Sequence, residues 1–187
     1  MHAPGTALTI ELQEDSDVFA MLQALNAGRI ISKELLWKDV RPQDRQDKGE
    51  RFILELIDWE RNGDPDFYSH HHLEPQPIHG SEPDGGREDR IFYRTRKFSG
   101  TRVIVRPGGS YRCADAGVYS LFVWRGTGRY GGHDVVGGRP GLDELLVTHD
   151  RAITGVDVVN AGGDELHLVK FFGPDLSDDV VRADVAG

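Results

Sequence analysis

The sequence is short of several groups that often fix what a small protein does. It holds one cysteine, Cys113, in 187 residues, which excludes an internal disulfide and any multi-cysteine zinc site. It has no excess of basic charge. Its 22 Lys+Arg against 31 Asp+Glu leave a net −9, so nucleic acid is not an expected partner, because phosphate neutralisation needs a basic face. No apolar run approaches the length of a bilayer span, and no membrane partner is expected. Met1-His2-Ala3-Pro4-Gly5 carries neither a basic stretch nor an apolar one, so no secretory leader is expected and a cytoplasmic, reducing setting is. There is no phosphate-binding P-loop and no G-x-S-x-G nucleophile turn. What remains is 38% hydrophobic and 28% charged residues, enough to bury a core in one domain with an extension.

The first third reads as helical. Asp15-Ser16-Asp17 can cap a helix carrying Val18, Met21, Leu22 and Leu25 on one face, with Gly28 as its stop. A second short helix is expected from Ser32 through Leu35, Leu36 and Trp37, ended before Pro42. A third is expected over 50–62, with Phe52, Ile53, Leu56, Ile57 and Trp59 on a broad apolar face. Between 65 and 90 prolines alternate with glycines, and the segment reads as a long connection. Strands are expected over 91–94, 102–106, 118–125, 142–148, 155–160 and 165–172. They are separated by turn clusters such as Pro107-Gly108-Gly109, Gly126-Thr127-Gly128 and Ala161-Gly162-Gly163-Asp164. The organisation expected is a helical arm over 1–64, a Pro/Gly/His-rich connection over 65–90, a barrel over 91–174 and an acidic tail over 175–187.

The strand half resembles a cupin. Val105-Arg106-Pro107-Gly108-Gly109 looks like the strand and turn before the first cupin motif. Leu121-Phe122-Val123-Trp124-Arg125-Gly126-Thr127-Gly128 looks like the strand and turn that close it. Asp143-Glu144-Leu145-Leu146-Val147 and the stretch from Gly155 to Leu166 resemble the opening and end of the second. The helical half looks like the segment that links the barrels of two-cupin proteins described as sugar-phosphate isomerase-like. The pieces that carry this are Ala24-Leu25-Asn26-Ala27-Gly28, Lys33-Glu34-Leu35-Leu36-Trp37-Lys38-Asp39-Val40, Leu56-Ile57-Asp58-Trp59-Glu60, Asp64-Pro65-Asp66-Phe67 and His71-His72-Leu73-Glu74-Pro75. The resemblance implies a mainly β fold: a single cupin-like antiparallel jelly-roll barrel, of RmlC type, with an N-terminal helical arm. It implies a chain corresponding to the linker and C-terminal barrel of such proteins. It also implies a small polar ligand, a sugar or sugar phosphate among the candidates, bound by an isomerase-like enzyme, and a homodimer or a pairing with another cupin barrel. The alternative is a non-catalytic barrel with a binding or assembly role.

The departure from the cupin pattern is as informative as the match. Counted from Gly108 and Gly126, the slots of the first motif's two histidines and glutamate fall on Ala114, Ala116 and Tyr119. Counted from Asn160, the last histidine slot falls on Val156. Alanine and valine have no lone pair to give a metal, so no metal is expected at the usual site.

Other residues offer chemistry instead. Tyr68-Ser69-His70-His71-His72-Leu73-Glu74 is the densest group of potential ligands, with His79 beyond it. In an extended segment His70, His72 and Glu74 share one face and His71 takes the other, a two-histidine, one-carboxylate set for Zn, Fe, Ni or Mn. The plain alternative is a solvated loop. For metal-free acid/base chemistry the candidates are Tyr119, His133 and His149. Arg106, Arg112 and Arg125, with Arg102 and Arg129, are candidates to gather at a barrel mouth and hold a phosphate or carboxylate. Alternating arginines on strands also mark an outward face. His167 alternates with Leu166 and Leu168, so it faces either cavity or solvent. Cys113 reads as a small buried hydrophobe.

Overall fold

The computed structural model describes residues 10, 25–78, 84–95, 97–174 and 176. The expected helix over 18–28, His79 and nearly all of the acidic tail lie outside the described residues, apart from the end of that helix at Leu25. The chain divides into two units, Met1–His72 and Leu73–Gly187.

The first unit is built from short pieces. Leu25–Asn26 (β1) and Arg29–Ile30 (β2) form a small hairpin, so Leu25 ends in a strand and not in a helix. Ala27 and Gly28 turn it with positive φ. A 3-10 turn over Lys33–Trp37 is capped by Ser32, whose hydroxyl accepts from the Glu34 amide. Pro42 does not only end what precedes it. It opens helix α1 (Pro42–Lys48), where its missing N–H is not needed. The helix expected over 50–62 is two helices, α2 (Glu50–Glu55) and α3 (Trp59–Asn62). Asp58 divides them by capping the second, its carboxylate accepting from the Arg61 amide at 3.0 Å. Helix α4 covers Phe67–His71. Trp37 and Ile53 are buried, and Arg45 forks onto both Glu34 oxygens at 3.0 Å. None of the described helices is long and apolar enough to cross a membrane.

The second unit is antiparallel β structure. Its strands are β3 (Gln76–Pro77), β4 (Gly86–Phe92), β5 (Ser99–Val105), β6 (Ser110–Cys113), β7 (Tyr119–Arg125), β8 (Thr127–Tyr130), β9 (His133–Val136), β10 (Glu144–Val147), β11 (Val156–Asn160) and β12 (Leu166–Phe172), with helix α5 (His149–Thr154) between β10 and β11. The pairing is nested: β8 with β9, β7 with β10, β6 with β11 and β5 with β12, all antiparallel. A long hairpin rolled onto itself gives that pattern, which is the jelly roll expected from the sequence. The two sheets run β10-β7-β12-β5-β4-β3 and β6-β11-β8-β9.

Period-two alternation fills the space between the sheets. Val103 and Val105 of β5, Leu121 and Val123 of β7, Val156 and Val158 of β11, and Leu166, Leu168 and Phe172 of β12 all belong to one buried cluster. Four strands of this unit escaped the sequence reading, among them β3, which is two residues long. Strand β6 is short, and β8 and β9 carry few apolar residues. Gly126-Thr127-Gly128, expected as a hairpin turn, instead takes the chain from β7 in one sheet to β8 in the other. The first long strand also begins earlier than expected, at Gly86, because the charged run Glu88-Asp89-Arg90 is buried and paired.

Asn160 ties the end of β11 to β5. Its amide nitrogen donates to the carbonyls of Val105 and Asp164, both at 2.8 Å, and its oxygen accepts from the Gly162 amide at 2.8 Å. Asn160→Ala leaves these groups buried and unpaired, and a loss of about 2 kcal/mol in chemical denaturation is expected. A loss below about 0.5 kcal/mol, the size of an ordinary surface substitution, would show that the tie carries little.

Candidate functional site in the barrel interior

The inward positions of β12 read Leu166, Leu168, Lys170, Phe172. Three are apolar and the fourth is a lysine with no exposed side-chain surface. Its ammonium faces three carboxylate oxygens: Glu88 Oε1 at 2.6 Å, Asp115 Oδ1 at 2.8 Å and Asp115 Oδ2 at 2.9 Å. Glu88 comes from the inner face of β4 and Asp115 from the segment after β6. Glu88 also accepts from Thr101 Oγ1 at 2.5 Å and from the Tyr111 hydroxyl at 2.8 Å. Lys170 lies 5.3 Å from the ring centre of Tyr119 and 5.5 Å from that of Phe172. The Tyr119 and Tyr130 hydroxyls share a short hydrogen bond beside the cluster.

Burial and charge set the protonation of these groups. Burial pushes the Lys170 ammonium down, but Glu88, Cys113 and Asp115 outweigh it, and its pKa is raised above the ordinary lysine value. Asp115 is pushed up, chiefly by desolvation, with Lys170 pulling the other way. Burial likewise raises Tyr111, Tyr119 and Tyr130, and it pushes the Cys113 thiol up to about 12. These hydroxyls and the thiol are neutral at physiological pH, and Cys113 is no nucleophile.

The cluster does not sit in a sealed core. Glu88, Thr101, Tyr111 and Asp115 line a cleft of about 360 Å³, together with Ala114, Ala116, Arg90, Arg112, Phe172, Ile78 and Leu176. Ala114 and Ala116, the residues in the two histidine slots, are therefore cleft wall. Tyr119 and Val156, in the other two slots, are buried.

The residues singled out from the sequence are scattered. Tyr119 lies at the cluster. His133 opens β9 on a separate recess of about 210 Å³, shared with Tyr130, Leu145, Val147, Thr148 and Arg151. His149 is the exposed first residue of α5, its Nδ1 3.5 Å from Asp150. Arg112 lines the cleft, but its guanidinium is turned to Asp157 at 2.7 Å and to the Thr154 carbonyl at 2.6 Å. Arg125 binds His167 Nε2 at 2.9 Å on the opposite face of β12 from Lys170. Arg106 is an exposed residue beside a small recess of about 20 Å³. Arg102 pairs with Asp89 at 3.0 Å and Arg129 with Asp134 at 3.3 Å. The five arginines do not converge on one mouth: Asp89 holds Arg102, Asp157 holds Arg112, Asp134 holds Arg129, and Arg125 lies against His167 and Glu165.

The extended geometry expected for the histidine run is corrected. His70 and His71 belong to helix α4, with His72 as its C-cap, so the alternation that put His70, His72 and Glu74 on one face does not apply. His70 Nδ1 is bound to Asp64 at 2.7 Å. His71 stacks on Phe67 and His72 on Tyr68, four residues back in each case. Among the described residues no three His, Cys, Asp or Glu side chains gather to hold a metal ion.

Sequence reasoning missed Glu88, Asp115 and Lys170 as a group. Lys170 was legible in the alternation of β12. Glu88 was not, because a charged run between glycines reads as loop.

No family model matches the chain, and no curated protein matches it. Among solved structures it is similar to the polyketide cyclase RemF from Streptomyces resistomycificus, at 12% identity and a TM-score of 0.42 over 55% of this chain and 74% of that one. It is similar to the cupin domain of an XRE family transcriptional regulator from Enterobacter cloacae, at 15% identity and a TM-score of 0.39 over 48% of this chain and 96% of that one. It is also similar to an RmlC-like cupin protein from Ralstonia eutropha, at 15% identity and a TM-score of 0.40 over 59% and 66%.

Proposed function

We propose that the chain is a cupin-like jelly roll that binds a small polar ligand in the cleft floored by Glu88 and Asp115. The observation that supports this is the placing of an ionic cluster, including a lysine with no exposed surface, against an open cleft inside the barrel. Apolar residues fill such an interior at lower cost, since buried ion pairs rarely add net stability. Titratable groups with shifted pKa values in a cleft mark a binding or catalytic site. Any isomerase-like chemistry here runs on carboxylates and hydroxyls, because the usual metal slots hold Ala114, Ala116, Tyr119 and Val156.

Thermal denaturation of the full chain against neutral sugars, sugar phosphates, small amines and small carboxylates tests the reading. A ligand present at one hundred times its Kd stabilises by about 2.7 kcal/mol, and at least one class is expected to raise the Tm. The shift should shrink in Tyr111→Phe, which alters the cleft wall without adding charge. If no class raises the Tm at millimolar concentration, the ligand reading falls. The non-catalytic assembly barrel is then favoured, on the loss of all four usual ligand positions.

A further inference from the structure

We infer that Arg125, His167 and Glu165 form a proton-operated clasp on the outer face of the six-stranded sheet, closed over the corner between β7 and β8 while the imidazole is neutral and opened when it takes a proton. One ring nitrogen carries the argument. His167 Nε2 lies 2.9 Å from the Arg125 guanidinium and 3.0 Å from Glu165 Oε2. A neutral imidazole nitrogen is either a donor or an acceptor, and a guanidinium never gives up its N–H groups in a protein. In the neutral ring Nε2 therefore accepts from Arg125, and Glu165 is held by Arg125, 3.7 Å away. A proton on Nε2 reverses this. The new N–H donates to Glu165 and stands against the N–H and the charge of Arg125.

The surroundings decide which partner leaves. The His167 side chain is 13% exposed, against 61% for Arg125 and 48% for Glu165, so the guanidinium can swing into water and the ring cannot. Across the sheet His167 stands between Arg125 of β7 and Ile104 of β5, with Arg87 of β4 beyond Ile104. Arg102 of β5 adds a further cation, offset by Asp89. Burial, with Arg125 and Arg102, holds the His167 pKa below the ordinary 6.5, and Glu165 opposes them. The clasp's contribution is thus present above that ordinary value and lost as pH falls through the lower folded one. The corner is where the loss is felt. The register of β12 on β7 shifts between His167 and Leu168, so the clasp spans a break in the ladder. Gly126 follows Arg125, and its carbonyl accepts from the Gly137 amide at 2.9 Å. That amide reports the opening of the corner.

Imidazole nitrogen chemical shifts of the full chain give the protonation of His167, and hydrogen exchange gives the protection of the Gly137 amide. The neutral ring is expected to carry no proton on Nε2 and to titrate below the ordinary histidine value. Protection of Gly137 is expected to fall about tenfold between about pH 7.5 and about pH 5. His167→Gln supplies an acceptor for Arg125 and a donor for Glu165 that do not titrate, and should abolish that fall. A neutral ring protonated at Nε2, or a titration at or above the ordinary value, overturns the inference. So does a loss of protection that survives His167→Gln. The nitrogen shifts and exchange of the unmodified chain decide alone if the variant does not fold.

Discussion

Lys170→Met is expected to cost about 3–5 kcal/mol of unfolding free energy, because it leaves Glu88 and Asp115 buried without their cation. A domain of this size holds roughly 5–15 kcal/mol in all, so the variant should be partly unfolded or should melt at far lower denaturant. The partner experiment removes the charges as well. Lys170→Met combined with Glu88→Gln and Asp115→Asn replaces ionic groups by neutral ones of similar shape and should recover most of the loss. A triple variant as stable as the parent would mean that the cluster is not kept for stability, which strengthens the case for a ligand. A single variant that loses less than about 1 kcal/mol would mean that the ion pairs are not formed in solution.

The same cluster predicts the sign of the pH dependence. The folded-state pKa of Lys170 is raised, so its contribution is fully present below the unfolded lysine value of about 10.4 and is lost as pH rises through the folded value. Asp115 is also raised. Its contribution is present below the unfolded value of about 3.9 and is lost as pH climbs through its folded pKa. Both groups therefore make stability fall with rising pH, Asp115 on the acid side and Lys170 on the alkaline side. Denaturant midpoints for parent and triple variant should separate most in strongly alkaline buffer. Curves of parallel slope across that range would contradict the assignment.

Gly126→Ala is the second large effect expected. Gly126 has φ +91, where an L side chain is strained, and a Cβ there would meet Glu165 O at 2.6 Å and Leu166 Cα at 2.7 Å. Both neighbours are backbone and cannot rotate away. The left-handed conformation alone costs about 1–3 kcal/mol in a non-glycine residue, and the clash adds to it. This position is the corner by which the chain leaves β7 for β8, so the strain falls on the crossing between sheets. The variant is expected to lose at least about 3 kcal/mol in chemical denaturation. Gly163→Ala, whose Cβ would meet nothing within 4 Å, is its control and should change stability little. Equal behaviour of the two would show that the corner is not tightly built.

The sequence by itself determined the class of the barrel half. Alternation in β5, β7, β11 and β12, with glycine clusters between them, carries the antiparallel sheets, because the β period is local and an inward apolar set leaves a visible trace. The resemblance counts the cupin metal slots onto Ala114, Ala116, Tyr119 and Val156, and the side chains of Ala114, Ala116 and Val156 lack donors whatever surrounds them. Local structure in the first unit was less legible. Whether Pro42 ends or begins a helix, and whether Asp58 sits within a helix or caps one, turns on competing hydrogen bonds a few residues long.

Only the tertiary structure decided the site. Glu88, Asp115 and Lys170 are far apart in sequence and come from β4, the segment after β6 and β12. The nested pairing brings β4 and β12 to the two sides of β5 and folds the segment after β6 over the same interior. A charged residue in a glycine-rich stretch looks solvated until a partner of opposite sign arrives from elsewhere in the chain, because burial becomes tolerable only once the charge is paired. The histidine run shows the reverse. Its density in sequence suggested a shared face, and a single helical turn sent its rings to Asp64, Phe67 and Tyr68.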